Sequence, residues 1–227
     1  MKLTYLEFNQ ELWDLLKNPN FLLYFQDLIE ANKVMNLTNI VEEKAVYEKH
    51  FYDSIILSKA LDIKNKSILD IGAGAGFPSL PLKLIEPSLE VTIIDSLYKR
   101  INFLYEISRI FKLDKLELIH GRAEEMNKNT LYDLVTARAV ARLNILAELA
   151  LPFVKIGGYF IAYKSLSYET ELTEALNAIR LLGGEVEEII EYEINEELHH
   201  ILILIKKNKP TPSIYPRIFG KIKKSPL

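Results

Sequence analysis

The 227-residue sequence predicts an α/β doubly wound, Rossmann-like fold: a mainly parallel, seven-stranded sheet with an antiparallel last strand. From Ser67 onward, apolar runs typical of strands alternate with helical stretches. Strands without polar alternation are typical of parallel sheets covered on both faces. A loop with alternating glycines follows the first run, where such folds bind ligands. Only residues 195–197 separate the last two runs, which is too short for a crossover helix and predicts an antiparallel pair.

The N-terminal part, residues 1–61, is predicted to form a helical cap. Thr4 and Glu7 match the capping box T-x-x-E, which predicts a first helix that ends near Lys17. Apolar residues at helical spacing predict two further helices, over residues 20–32 and 42–61.

Residues 62–205 are predicted to supply the sheet. The predicted strands are the runs SILDIG, EVTIID, KLELIH, YDLVTAR, YFIAYK, VEEIIEYEI and LHHILILIKK, in chain order. Glycine pairs at 157–158 and 183–184 lie between helical stretches and strands, as C-terminal helix caps do. Residues 206–227 contain four prolines and are predicted to form an extended arm.

Composition excludes several classes of protein. The chain contains no cysteine, which excludes disulfides, thiolate metal sites and a cysteine nucleophile. No apolar run approaches the roughly 18 residues of a membrane span, and the acidic start does not resemble a secretory signal. His199 and His200 lie in a predicted strand and face opposite ways, so we expect no metal site there. We expect a cytoplasmic protein that acts as a monomer, without a membrane partner.

The charge is unevenly distributed along the chain. The formal net charge is −3, yet residues 206–227 hold seven of the 28 Lys and Arg and none of the 31 Asp and Glu. An acidic body with a basic arm indicates a polyanionic partner that is reached by one face. A merely solubilising tail is equally compatible with the charge alone.

The loop DIGAGAGFP, which begins at Asp70, carries the sharpest functional signal. Its alternating glycines allow a tight turn and a close approach of the backbone to a ligand at the start of the next helix. The dinucleotide fingerprint G-x-G-x-x-G would need a glycine at position 77, where this chain has Phe77. The loop therefore favours a ligand with a cationic end and no phosphate, such as S-adenosylmethionine (SAM), near the Asp70 carboxylate. A plain glycine turn is the alternative.

The following strands also end close to polar residues. Asp95 ends the second run, about twenty residues after the loop, where a carboxylate suits the hydroxyls of an adenosyl ribose; a helix cap is the alternative. Ala123 and Glu124 follow the third run, where an adenine edge could be bound. Arg138 ends the fourth run and Lys164 follows the core of the fifth, where either could meet the reactants or form a salt bridge.

These residues together resemble the RsmG (GidB) family of bacterial 16S ribosomal RNA guanine-N7 methyltransferases. The matching segments are Asn36-Leu37-Thr38, His50-x-x-Asp53-Ser54, DIGAGAGFPSLPL at 70–82, DSLYKR at 95–100, Ala123-Glu124-Glu125, Arg138-Ala139 and the ending YPRIFGKIKKSPL. The resemblance extends from about residue 30 to the C-terminus. It implies the SAM-dependent methyltransferase version of the fold, SAM as cofactor, and 16S rRNA or a small-subunit precursor as partner.

The resemblance also implies site residues. The cofactor-binding set, with Asp70 added from the loop pattern, is Asp70, Gly72, Gly74, Gly76, Phe77, Asp95, Ala123, Glu124 and Arg138. Arg138 is also the expected catalytic residue, through orientation and charge stabilisation. The RNA-binding candidates are Asn36, His50, Lys99, Arg100, Lys164, Arg217, Lys221, Lys223 and Lys224.

The expected chemistry is an in-line methyl transfer without a covalent enzyme intermediate. Guanine N7 carries an in-plane lone pair, so the acceptor needs orientation rather than a general base. Methylation of cytosine C5 would need a cysteine, and exocyclic amines usually meet a D/N-P-P-Y-type loop where this chain has TARAV. Two alternatives remain: a methyltransferase for a small molecule or a protein, and a non-catalytic RNA-binding or ribosome-assembly protein.

Overall fold

A computed structural model describes all 227 residues and contains one eight-stranded sheet. The strands are β1 (Lys2–Leu6), β2 (Ser67–Ile71), β3 (Glu90–Asp95), β4 (Leu116–His120), β5 (Tyr132–Arg138), β6 (Val154–Ser165), β7 (Gly184–Asn195) and β8 (Leu198–Lys207). Their order is β1-β7-β8-β6-β5-β2-β3-β4. β8 is antiparallel to β6 and β7, and every other pair is parallel. The predicted doubly wound fold with an antiparallel last strand is confirmed, with eight strands instead of seven.

The additional strand is β1, at the edge of the sheet. It runs parallel to β7, with Lys2 opposite Glu188, and the Thr4 hydroxyl donates to the Glu188 carboxylate. The predicted helix that starts at Thr4 is therefore wrong. The first helix begins at Gln10 instead, and the side chain of Asn9 caps it by accepting from the Leu12 amide at 2.9 Å. A capping-box pattern is local and does not reveal a partner strand so far along the chain.

Ten short or medium α-helices cover the sheet. They are α1 (Gln10–Leu15), α2 (Pro19–Met35), α3 (Glu43–Val46), α4 (Asp53–Ile55), α5 (Leu57–Ala60), α6 (Ser79–Ile85), α7 (Tyr98–Ile110), α8 (Leu143–Ala150), α9 (Glu169–Leu181) and α10 (Phe219–Lys224). Successive strand residues belong to different cores: Ile68 packs in the core that holds α1, α2, α6 and α7, while Leu69 packs in the core that holds α8 and α9. The strands are thus buried on both faces, as apolar runs without alternation predict.

The third predicted helix is irregular. A π-helical segment, Tyr47–Tyr52, joins α3 to α4. π-helical turns are rare and occur frequently at functional sites. Here the segment and the start of α4 carry His50 and Asp53, whose side chains meet the carboxyl end of β5.

The C-terminal arm is fixed to the body, which corrects the predicted extended tail. Phe219–Lys224 is helical and buries Ile222 against α8. The N-terminal helices share one core with the sheet, so packing continues across residue 61. The division into a cap, a methyltransferase domain and an arm stays a prediction. None of the helices is both long enough and apolar enough to cross a membrane.

Candidate functional site

Two cavities adjoin at the carboxyl ends of the central parallel strands. We call the first, of about 330 Å³, the glycine-loop crevice; its walls include Gly72, Asp95, Ala123, Glu124 and Phe219. We call the second, of about 490 Å³, the polar pocket; its walls include Lys49, His50, Asp53, Arg138 and Lys164. Ala139 lines both cavities, so a molecule in one would lie beside a molecule in the other.

Gly72 forms the tight turn at the base of the crevice. Its φ angle is +71°, and a Cβ atom there would lie 2.8 Å from Cγ2 of Val140. Its amide donates to the carbonyl of Ile94 at 2.8 Å, which ties the loop to β3. The bare backbone at this position therefore allows both the left-handed turn and the close approach of the Val140 side chain.

Asp95 organises the crevice at the end of β3. One carboxylate oxygen accepts from the Gly74 amide at 3.1 Å and from Nη1 of Arg100 at 3.2 Å; the other accepts from the Leu97 amide at 2.9 Å. These bonds hold the buried carboxylate at the crevice wall. Nε of Arg100 is buried without a partner, so the wall also contains an unsatisfied donor. The carboxylate, the donor and the bare glycine backbone fit a ligand with hydroxyl groups and a compact polar end.

Asp70 lies beneath the loop rather than on the crevice wall. It is fully buried, one oxygen accepts from the Ser79 amide at 3.1 Å, and the other has no partner. Burial raises the pKa of this carboxyl to about 7. An unpaired buried carboxylate is costly, so burial shifts the equilibrium toward the protonated form.

The raised pKa of Asp70 makes stability depend on pH. Its contribution is complete below the ordinary value of about 3.9 and is lost as the pH rises through about 7. We expect Asp70→Asn, relative to the wild type, to gain on the order of a few kcal/mol between about pH 4 and pH 8. Urea unfolding across this range measures the gain, with the exposed Asp62→Asn as control. Parallel pH curves for all three proteins would contradict the burial argument.

A network of side chains centred on Asp53 lines the polar pocket. Nη1 of Arg138 donates to Oδ2 of Asp53 at 2.7 Å, the Tyr192 hydroxyl donates to Oδ1 at 2.6 Å, and Nδ1 of His200 lies 2.7 Å from Oδ1. Burial acts to raise the pKa of Asp53, but the His200 hydrogen bond and the Arg138 charge outweigh it and lower that pKa. Asp53 is therefore a fixed negative charge that holds the Arg138 guanidinium in place.

His50 is neutral and supports the Arg138 guanidinium in the same pocket. Nη2 of Arg138 lies 3.1 Å from Nδ1 of His50, and a guanidinium only donates, so Nδ1 accepts. Nε2 then carries the proton and donates to Oγ1 of Thr38 at 2.8 Å. Burial, aided by the Arg138 charge, lowers the pKa of His50 to about 4. The ring stacks on Phe77 with centroids 4.6 Å apart, which fixes its plane.

Two cofactor-binding candidates do not line the crevice. Arg138 lines the polar pocket, and Phe77 is buried beside it, with the guanidinium carbon of Arg138 5.1 Å from the Phe77 ring centroid. The backbone turns at the next residue, Ala139, which has a left-handed φ of +58°. Beyond this turn, the side chain of Val140 lies against Gly72. The assignment of Arg138 and Phe77 to the cofactor stays a prediction.

The other cofactor-binding candidates form two groups: residues that line the glycine-loop crevice and residues that lie behind it. Gly72, Asp95, Ala123 and Glu124 line the crevice. Asp70, Gly74 and Gly76 do not line it. Gly76 has φ of +100°, and a Cβ there would lie 2.5 Å from the Tyr24 hydroxyl, so it supports the loop from behind.

The RNA-binding candidates are scattered, and several are already engaged. Asn36 ends α2 with φ of +51°, and Nζ of Lys99 donates to the neighbouring Met35 carbonyl at 2.5 Å. Lys164 pairs with Glu171 at 2.5 Å at the edge of the polar pocket.

Two arginines on this predicted set are committed to carboxylates. Arg100 pairs with Asp95, and Arg217 pairs with the fully buried Glu148. Three donors of Arg217 bond Glu148, whereas Arg100 uses Nη1 alone and keeps Nε without a partner. The members of the predicted set that are exposed on the arm are Lys221, Lys223 and Lys224.

Sequence reasoning missed several residues of the site. Tyr192 and His200 come from β7 and β8, far along the chain from Asp53, and His200 was considered only as a metal ligand. Phe219 lies in an arm without periodicity, and Arg122 lies 5.3 Å from its ring centroid. An aromatic residue inside a basic arm is the one local signal that could have marked Phe219.

Comparison with known proteins gives consistent matches. Residues 17–201 match the model of the GidB family, described as rRNA small subunit methyltransferase G. The chain is 52% identical over 216 residues to ribosomal RNA small subunit methyltransferase G of Staphylococcus saprophyticus, which covers 93% of this chain and 90% of that protein. It is 46% identical over 227 residues to the protein of the same name from Clostridium kluyveri, covering 98% and 93%.

Solved structures of low sequence identity share the fold. TrmN from Thermus thermophilus aligns with a TM-score of 0.55 at 18% identity, covering 69% of this chain and 48% of that one. Ribosomal protein L11 methylase from Lactobacillus delbrueckii subsp. bulgaricus aligns with a TM-score of 0.56 at 13% identity, covering 71% and 80%. At these identities the alignments support the fold alone.

Proposed function

The chain belongs to the GidB family of rRNA small subunit methyltransferases G, and from this membership we propose that it transfers a methyl group from SAM to N7 of a guanine in 16S rRNA. The observation that carries the proposal is the junction of the two cavities at Ala139. The crevice would hold the donor and the polar pocket the acceptor base. Adjacent sites convert a bimolecular reaction into an oriented one, which supplies much of the rate of a displacement.

The crevice residues fit SAM by their chemistry. The Asp95 carboxylate would accept from the ribose hydroxyls, and the Gly72 backbone would approach the amino-acid end without steric hindrance. Ala123 and Glu124, in the 3₁₀ turn after β4, would meet the adenine edge. When bound, SAM supplies a methyl group activated by a sulfonium. The chain's task on this side is to hold that group toward Ala139.

The polar pocket would position the guanine. Arg138, fixed by Asp53 and His50, is a positioning residue that keeps the pocket rigid and polar. His50 is neutral with its Nδ1 occupied, which makes it a poor proton acceptor, and N7 requires none. Methylation at N7 leaves a positive charge on the base. The fixed carboxylate of Asp53 is complementary to that charge.

Labelled SAM and purified RNA test the proposal. We expect methyl incorporation into small-subunit rRNA or its precursor particle, and nucleoside mass spectrometry should identify 7-methylguanosine. Cells that lack the protein should lose one 7-methylguanosine from 16S rRNA. Transfer to tRNA but not to 16S rRNA would overturn the proposed substrate, and SAM binding without any transfer would favour the assembly-protein alternative. An rRNA substrate also agrees with the proposed cytoplasmic location.

Asp95 provides a test of the donor site. Asp95→Asn keeps the shape of the side chain but replaces one acceptor oxygen by a donor, so it accepts poorly from two ribose hydroxyls. We expect SAM affinity to fall by about tenfold in calorimetry, which corresponds to about 1.4 kcal/mol. The exposed Asp62→Asn serves as control and should bind as the wild type does. Unchanged affinity of Asp95→Asn would remove Asp95 from the ribose site.

The basic arm provides a test of RNA contact. Lys221, Lys223 and Lys224 are exposed on α10, whose first residue, Phe219, lines the crevice. Each phosphate contact contributes about 0.7–0.9 to the slope of log affinity against log salt. We expect the triple alanine variant to bind rRNA more weakly and with a slope smaller by about two to three units. The matched control replaces Lys64, Lys66 and Lys115. These residues precede the amino ends of β2 and β4, whereas the cavities lie at the carboxyl ends of the strands. Equal slopes for both variants would leave the arm as a solubilising element.

A further inference from the structure

The arm is anchored next to the crevice by one buried ion pair. Oε1 of Glu148 accepts from the Arg217 amide at 2.9 Å and from its Nε at 2.7 Å, and Oε2 accepts from its Nη2 at 2.5 Å. Glu148 is fully buried on α8. Ile222, also fully buried, anchors the middle of α10. The segment between these two anchors is therefore held at a defined place on the body.

Phe219 lies between the two anchors and forms part of the crevice wall. The guanidinium carbon of Arg122 lies 5.3 Å from the centroid of its ring, a cation–π distance. Arg122 directly precedes Ala123 and Glu124, so the ring borders the part of the crevice assigned to the base. The side chain packs against the core that holds α8 and α9 but is only partly buried, so part of the ring stays open to the crevice.

We propose that Phe219 is a ligand-contacting residue that closes the nucleoside end of the glycine-loop crevice. The inference rests on the proposed function, because it takes the adenosyl group as the occupant. A flat ring beside a purine offers stacking or edge contact that neither Ala123 nor Glu124 provides. The matched family model ends at residue 201, so this contact comes from a segment beyond it. The arm thereby completes the donor site, and the lysines that are proposed to contact RNA lie on the same helix.

The proposal makes a specific statement about ligands. Compounds with an adenosyl group should lose affinity when Phe219 is truncated, and they should do so by a similar factor. Free methionine should not be affected, because it lacks the adenosyl group that the ring would contact. We expect Phe219→Ala to bind S-adenosylhomocysteine, SAM and adenosine roughly tenfold more weakly in calorimetry.

Two variants of the same segment serve as controls. Phe219→Tyr keeps the ring and should stay within about threefold of the wild type. Ile218→Ala truncates the adjacent residue, which is 76% exposed and not part of the crevice wall, and should bind as the wild type does. Wild-type affinity in Phe219→Ala, or an equal loss in Ile218→Ala, would overturn the proposal.

A measurement on the unmodified protein avoids any folding defect of the variants. Addition of S-adenosylhomocysteine should slow hydrogen exchange of the amides in residues 217–224, whereas the amides of β1 should exchange unchanged. If the wild type binds the compound but the amides of the arm show no protection, the result would contradict the proposal and leave the proposed function intact. A wild type that binds neither SAM nor S-adenosylhomocysteine would overturn both.

Discussion

Arg138→Met is expected to lower kcat/KM for methyl transfer by about 10²- to 10³-fold. The reason is that the polar pocket loses the guanidinium whose hydrogen bonds link β5 to the N-terminal helices. In the wild type this guanidinium bonds Asp53 at 2.7 Å, His50 at 3.1 Å and the Lys49 carbonyl at 3.2 Å. Methionine fills similar space but makes none of these bonds. His50 and Asp53 would then lose their common partner, and the pocket would lose its fixed geometry.

The loss should appear in transfer and not in donor binding. Arg138 faces away from the crevice, so the affinity for S-adenosylhomocysteine should stay within about threefold of the wild type, which corresponds to less than about 0.7 kcal/mol. Arg138→Lys keeps the charge but not the planar fork and should recover little activity. Arg109→Met, at a side chain that is 77% exposed, is the control. A large loss of donor affinity in Arg138→Met would place Arg138 in the donor site after all.

Arg217→Ala is expected to destabilise the protein by about 3–5 kcal/mol, because the buried Glu148 carboxylate loses its counter-charge and both side-chain donors and keeps only the backbone amide of residue 217. Three donors of Arg217 bond this one carboxylate, and Glu148 has no exposure to water. Urea unfolding monitored by circular dichroism measures the loss. The exposed Lys224→Ala, seven residues further along the arm, is the matched control and should change stability by less than about 0.5 kcal/mol.

One further measurement separates an uncompensated charge from a simple loss of packing. Glu148→Met combined with Arg217→Met removes both charges and should restore most of the stability, since apolar replacement of a buried pair is often nearly neutral. If the double variant is as unstable as the single one, packing of the arm is the dominant contribution.

The periodicity of the sequence predicted most of the sheet, because buried parallel strands need continuous apolar runs. It did not predict β1, whose pairing with β7 depends on residues far along the chain. The helix over residues 42–61 was expected, but a π-helical segment within it was not, since one extra residue per turn leaves no local signature.

The sequence predicts several residues that line the cavities, but it does not predict which residues share a cavity. Asp95 and Glu124 line the crevice as expected, because a strand end fixes where its next residue lies. Arg138 is assigned to the cofactor by the family resemblance, and the sequence does not reveal that its guanidinium bonds Asp53 and His50 in the second cavity. Phe219 escaped notice because its position depends on a buried pair, Arg217 and Glu148, that joins separate segments.

The pairing of β1 with β7 has a consequence for folding during synthesis. Lys2 is synthesised 186 residues before its partner Glu188. At 5–20 residues per second, translation separates the two by on the order of ten to forty seconds. During that time β1 lacks its partner strand, because β1 pairs with β7 alone. β1 is thus synthesised before the other seven strands but can join the sheet only after β7.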